Sequence, residues 1–151
     1  MKKTALVIVS LLSILLFAVG CTTSKTFTKS YTYNVTTGDT IKVQLDRTGG
    51  YDISAESPFK ISKDDDVLGQ GAFITLAGVD QYLDLVEKDS DSKVIEKDSA
   101  NGLEYTFYSY KDEEYNYVIK ISGSNTGILL ANDVSEESAK ECFKRLTITK
   151  E

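Results

Sequence analysis

The sequence predicts an α+β fold: a single antiparallel sheet of about 6–8 strands with two helices, at about residues 76–88 and 136–146, and one face of the sheet covered. Three observations predict it. Apolar and polar residues alternate with period two in a series of short stretches between Tyr31 and Ile121. Helical spacing of apolar residues occurs in only two places, each behind a residue suited to cap a helix. The turns between strands are too short for crossovers and favour hairpins.

Taken in order, Tyr31, Tyr33 and Val35 alternate with threonine and asparagine, and Thr37-Gly38-Asp39 turns the chain. Ile41, Val43 and Leu45 then answer on one apolar face, the pattern of a hairpin. After a second turn at Arg47-Thr48-Gly49-Gly50, Tyr51, Ile53 and Ala55 continue the alternation, and Pro58 breaks it before Phe59 and Ile61. Lys63–Asp66 and Gly69-Gln70-Gly71 read as an exposed loop leading to a short strand at Ala72–Thr75. Thr75 is placed to cap the first helix, whose stripe is Leu76, Val79, Tyr82, Leu83 and Val86.

Val94 and Ile95 suggest a short strand beyond the helix. Leu103–Tyr110 and Tyr115–Ile121 form the clearest hairpin of the chain. A three- or five-residue loop would set Leu103, Tyr105 and Phe107 beside Tyr117, Ile119 and Ile121, whereas a two- or four-residue loop would turn Tyr108 and Tyr110 to the core. The first register gathers more apolar residues on one side and is preferred. Gly127–Ala131 follows, then Ser135 as a cap, a helix striped by Ala139, Cys142, Phe143 and Leu146, and a last strand or frayed end at Thr147–Thr149.

The first twenty residues obey different rules. Lys2 and Lys3 precede an apolar run from Ala5 to Val19. As a helix this run would reach roughly 22 Å, short of the ~30 Å hydrocarbon core of a membrane. A charged start, a short apolar run and small residues at its end are the signature of a secretory signal. The run closes on Ala18-Val19-Gly20-Cys21, which resembles the lipobox of bacterial lipoproteins; Ala18 stands where that family usually has leucine. The resemblance implies cleavage between Gly20 and Cys21 and a lipid of the palmitate class on Cys21. It therefore also implies a protein held on the cell membrane at its extracytoplasmic face. Two acyl chains on one thioether anchor durably where a single chain does not.

These readings divide the chain into a signal peptide (1–20), a lipidated cysteine with a polar tether (21–30) and one domain (31–151). The order of elements loosely resembles the PsbP-like fold, an antiparallel sheet between helices. That likeness is architectural and implies no function.

Charge and composition narrow the function. Without Lys2 and Lys3, the 17 basic and 23 acidic residues become 15 against 23, a mature charge of −8. This sign argues against nucleic acid and anionic headgroups as partners and favours basic ones. The chain has no histidine, the usual general base near neutral pH and the commonest zinc ligand. With Cys21 lipidated, Cys142 has no disulfide partner and reads as an inert buried thiol. Asp64-Asp65-Asp66 and Asp89-Ser90-Asp91 lack the spacing of a calcium loop, and no phosphate loop or nucleophile motif is present.

No catalytic residue, metal site or cofactor is therefore expected. Tyr108 and Tyr110, facing away from the core in the preferred register, are the candidate binding face for an envelope protein or glycan. The expectation is a non-enzymatic, membrane-tethered binding module. An inhibitor of a basic secreted enzyme, such as a lysozyme-like hydrolase, and a carboxylate-based glycan hydrolase are the alternatives.

Overall fold

The computed structural model describes residues 27–151. The strands are β1 (Thr28–Asn34), β2 (Thr40–Asp46), β3 (Tyr51–Ile53), β4 (Phe59–Lys63), β5 (Asp66–Thr75), β6 (Ser92–Ala100), β7 (Leu103–Tyr110), β8 (Glu114–Ile121), β9 (Thr126–Asn132) and β10 (Leu146–Lys150). Helix α1 (Leu76–Lys88) lies between β5 and β6, and α2 (Glu136–Lys144) between β9 and β10. The class is α+β.

A seven-stranded antiparallel sheet runs in the order β3-β4-β5-β9-β8-β7-β6. The remaining strands form a second antiparallel sheet, β1-β2-β10, where the sequence suggested one sheet for all. The small sheet and α2 cover one face of the large sheet and enclose the main core. That core includes Ile41, Val43 and Leu45 from β2, Phe59 and Ile61 from β4, Phe107 from β7 and Ile119 from β8. Burial of such side chains contributes roughly 1.5–3 kcal/mol each before entropy is counted.

The other face is covered as well, which corrects the expectation of one bare face. Helix α1 crosses it, with Thr75 accepting from the Gly78 amide at 3.0 Å as the expected cap. Beneath the helix Val79, Val86, Tyr108 and Val118 form a smaller core. Lys120–Asp80 (2.9 Å) and Lys97–Glu87 (3.2 Å) tie the helix to the strands below.

The hairpin of β7 and β8 takes the preferred register through a three-residue connection, pairing Leu103 with Ile121, Tyr105 with Ile119 and Phe107 with Tyr117. On the main-core face Tyr117 lies between two rings, 4.3 Å from Phe107 and 4.2 Å from Phe143 of α2, and Tyr105 meets Phe143 edge-on at 4.8 Å. Such pairs add to the area they bury.

Three local expectations differ. Gly69-Gln70-Gly71 is not a loop but the interior of β5, and Gly71 is there because a Cβ would sit 2.1 Å from the Phe59 ring. The turn before it is made by Asp64 and Asp65, both at positive φ (50° and 72°), a hairpin geometry that aspartate tolerates. Strand β6 is nine residues long, not two; it is polar because it is an edge, and a bulge at Val94/Glu96 breaks its alternation. Helix α2 ends at Lys144 and Leu146 already belongs to β10.

Asp39, in the β1–β2 turn, joins the two sheets. It is only 6% exposed, and its Oδ2 accepts from the Ser124 hydroxyl (2.7 Å), the Asn125 amide (2.7 Å) and the Thr126 hydroxyl (2.9 Å). Lys150 of β10 meets Oδ1 at 2.9 Å. The Lys150 ammonium first, and the Ser124 hydroxyl next, hold this carboxyl well below the ordinary carboxylate range.

Two outcomes follow. Gly71→Ala should lower the unfolding free energy by about 1–3 kcal/mol through overpacking against Phe59; an unchanged urea midpoint would show that the ring yields freely. A depressed folded-state pKa makes the contribution of Asp39 present above the unfolded value near pH 4 and lost as pH falls below it. The drop in urea midpoint from about pH 7 to about pH 3 should thus be smaller in Asp39→Asn than in the parent, Asp46 and Asp52 supplying the remainder. Equal drops would remove Asp39 from this role.

Candidate functional site

Strand pairing sets Gln70, Ala131, Asn116, Tyr108 and Val94 in one row across β5, β9, β8, β7 and β6. Partners in a row share a face, here the one that α1 crosses. The helix starts at the last residue of β5 and hands over to the first residues of β6, so it runs diagonally. It covers the Tyr108 end of the row and leaves the Gln70 end open. Small Ala131 and the buried amide of Asn116 then become the floor of a groove.

The groove has two joined hollows. One, of about 360 Å³, lies between Val67–Gln70 of β5 and Ala131–Asp133. The other, of about 300 Å³, lies against α1 and is lined by Tyr82, Leu85, Val86, Tyr108 and Tyr110 with Asp89 and Ser92. Both include Glu114 and Asn116. Exposed apolar side chains flank it on either side, Val67 at 55% and Leu85 at 63%. Around the Glu114–Asp133 end the surface continues past Asp112 and Glu113.

Asn116 is 5% exposed, and its side-chain amide makes no hydrogen bond with any described residue. The same holds for the Tyr108 hydroxyl, on a residue 7% exposed. Burial pushes that phenol up to about 12, with smaller contributions from Tyr82 and Glu114 nearby, so it is a neutral donor at any physiological pH. Among the described residues only Arg145 Nε is a side-chain nitrogen or oxygen both sealed from solvent and unpartnered, so the Asn116 amide and Tyr108 hydroxyl still reach the groove and are open to a ligand hydrogen bond.

The residues singled out from sequence are distributed as follows. Tyr108 and Tyr110 do lie on the face opposite the main core and line one groove, but Tyr108 is a floor residue under α1, not an open platform. Gly20, Cys21 and the signal segment lie outside the described residues. Cys142 is 1% exposed on the inner side of α2, near the Asn132 amide, and burial pushes its thiol up to about 11. Among the described residues no three acidic or cysteine side chains converge to hold a metal ion. No helix of the described residues is long and apolar enough to cross a membrane.

Asn116, Gln70, Ala131, Glu114, Asp133 and Tyr82 were not legible as site residues. On a sheet with one covered face, Asn116 occupies an ordinary polar position. Only the diagonal path of α1 buries it.

Compared with protein-family models, curated proteins and solved structures, the chain matches none of them.

Because the Tyr108 hydroxyl has no protein partner, Tyr108→Phe should leave stability within about 0.5 kcal/mol by chemical denaturation. A loss of more than about 1 kcal/mol would show that the hydroxyl is bonded inside the protein.

Proposed function

We propose that this chain is a non-enzymatic binding module, tethered by lipid on Cys21 to the extracytoplasmic face of the cell membrane. The observation that carries the anchor is Ala18-Val19-Gly20-Cys21 at the end of a charged, short apolar leader. Cysteine is required there because its thiolate forms a stable thioether with the lipid. The observation that carries binding is the groove floored by Ala131, Asn116 and Tyr108, where the Asn116 amide and the Tyr108 hydroxyl line the hollow without a bond to another side chain.

A second reading, inhibitor or scavenger of a basic secreted enzyme, is favoured by the mature charge of −8 that follows from 15 basic and 23 acidic residues. Long-range attraction would speed such an association, and raising the salt concentration would slow it. The glycan-hydrolase reading would make Glu114 and Asp133, which line one hollow, an acid–base pair. Turnover of purified peptidoglycan that ceases in Glu114→Gln would establish it over binding.

The anchor is tested by replacing Cys21 with serine. The parent should sediment with membranes and incorporate labelled palmitate, and Cys21→Ser should do neither. A Cys21→Ser chain that is cleaved normally and stays on membranes would overturn the lipoprotein reading.

A further inference from the structure

We infer that the groove beside α1 docks a basic, apolar-flanked peptide segment of an extracytoplasmic protein. The inference rests on the binding-module reading and names the partner class.

Charge argues first. Asp89, Glu114 and Asp133 line the groove and no lysine or arginine does. Asp112 and Glu113 adjoin it. None of these five forms an ion pair among the described residues, whereas Asp52, Asp80 and Glu136 each hold a lysine, in Lys29–Asp52, Lys120–Asp80 and Lys140–Glu136. Two bases adjoin it: Lys111, over the Tyr110 ring at 5.1 Å in the turn next to Asp112, and Lys60, in register with Gln70 and already met by Glu56 at 3.5 Å. They leave most of that charge unbalanced. A lysine or arginine from a partner would supply the missing counter-charge, and the uncommitted side-chain carbonyl of Asn116 would accept a hydrogen bond from it.

Shape argues second. The row from Gln70 to Tyr108 crosses four strands, so at ~4.8 Å per strand it spans roughly 14 Å. An extended peptide rises ~3.3 Å per residue, so about four residues fit along it. The walls are aliphatic, Val67 and Leu68 on one side and Leu85 and Val86 on the other, and suit alternate apolar side chains or the stem of a lysine. An anionic glycan would be repelled by these carboxylates, and a neutral one would meet them only as hydrogen-bond acceptors, leaving their charge unbalanced, with two partly exposed rings, Tyr82 and Tyr110, to stack on.

The test uses the full chain in mild non-ionic detergent with detergent alone as blank, so the readout does not depend on whether Cys21 is lipidated. Fluorescence anisotropy is measured on labelled peptides alternating Lys with Val, Glu with Val, and Lys with Ser, and on a labelled chitin oligosaccharide. The Lys–Val peptide should bind at least about tenfold more tightly than the other three and weaken as salt is raised. The double variant Glu114→Gln/Asp133→Asn should lose roughly tenfold, while Glu141→Gln/Glu151→Gln, the same charge change on α2 and the small sheet, should not. Glu114 and Asp133 are exposed, so the double variant tests the charge without disturbing the core. Ala131→Leu, which fills the floor, should abolish binding; if it fails to fold, the carboxylate pair still decides.

Equal binding of the Glu–Val peptide, or indifference to Glu114→Gln/Asp133→Asn, would overturn the proposal. Preference for the oligosaccharide would replace it with a glycan site. An anchored chain that ignores every probe would sink the groove and keep the anchor. A chain that binds the Lys–Val peptide yet never reaches membranes would do the reverse.

Discussion

One buried carboxylate fixes how the two sheets meet. Asp39 is carried by the turn of the small sheet, yet all three donors to its Oδ2 come from the segment that opens β9 at the centre of the large one. Its other oxygen holds Lys150, near the end of the chain. A carboxylate taken from water is tolerated only when its lone pairs are met, and here they are met from two sheets at once. The turn cannot slide along β9 without abandoning several charge-assisted bonds together. The position of the small sheet, and with it the closure of the main core over Phe59 and Phe107, depends on that point.

From this follows the division of labour between the faces. With the small sheet and α2 committed to one side, α1 alone remains for the other, and a helix of 13 residues cannot cover a seven-stranded sheet. At ~1.5 Å per residue it is roughly 20 Å long, while seven strands at ~4.8 Å spacing extend for about 29 Å. An uncovered corner is a geometric necessity. Its character is set by which residues fall there: small Ala131, polar Asn116 and Gln70, and the acidic turns beyond.

Much of the architecture could be read from the chain because period and capping agreed with the tertiary answer. The hairpin register of β7 and β8, the extent of α1 and the caps Thr75 and Ser135 rest on local rules that tertiary packing reinforces. Where tertiary contacts decide, local rules fell short. Gly69 and Gly71 carry a turn signal, yet their lack of side chains serves the close approach of Phe59 and of the Ala131 carbonyl. Strand β6 has the composition of a loop because its outer edge faces water. The separation of β1, β2 and β10 from the main sheet leaves no mark in any one of them, since an inward-facing alternation serves either sheet equally. The groove was half legible: Tyr108 and Tyr110 were identifiable by face, Asn116 and Asp133 only once the path of α1 was known.

Strand β6 ends the large sheet with nine residues of backbone whose outer edge pairs with no other strand among the described residues. Wherever copies are crowded, an open strand of this kind seeds linear edge-to-edge stacking. Lys93, Glu96, Lys97 and Asp98 together with the Val94/Glu96 bulge make that edge an unwelcoming template. The same roughness that hid β6 in the sequence would keep crowded copies of this domain as separate, freely rotating individuals.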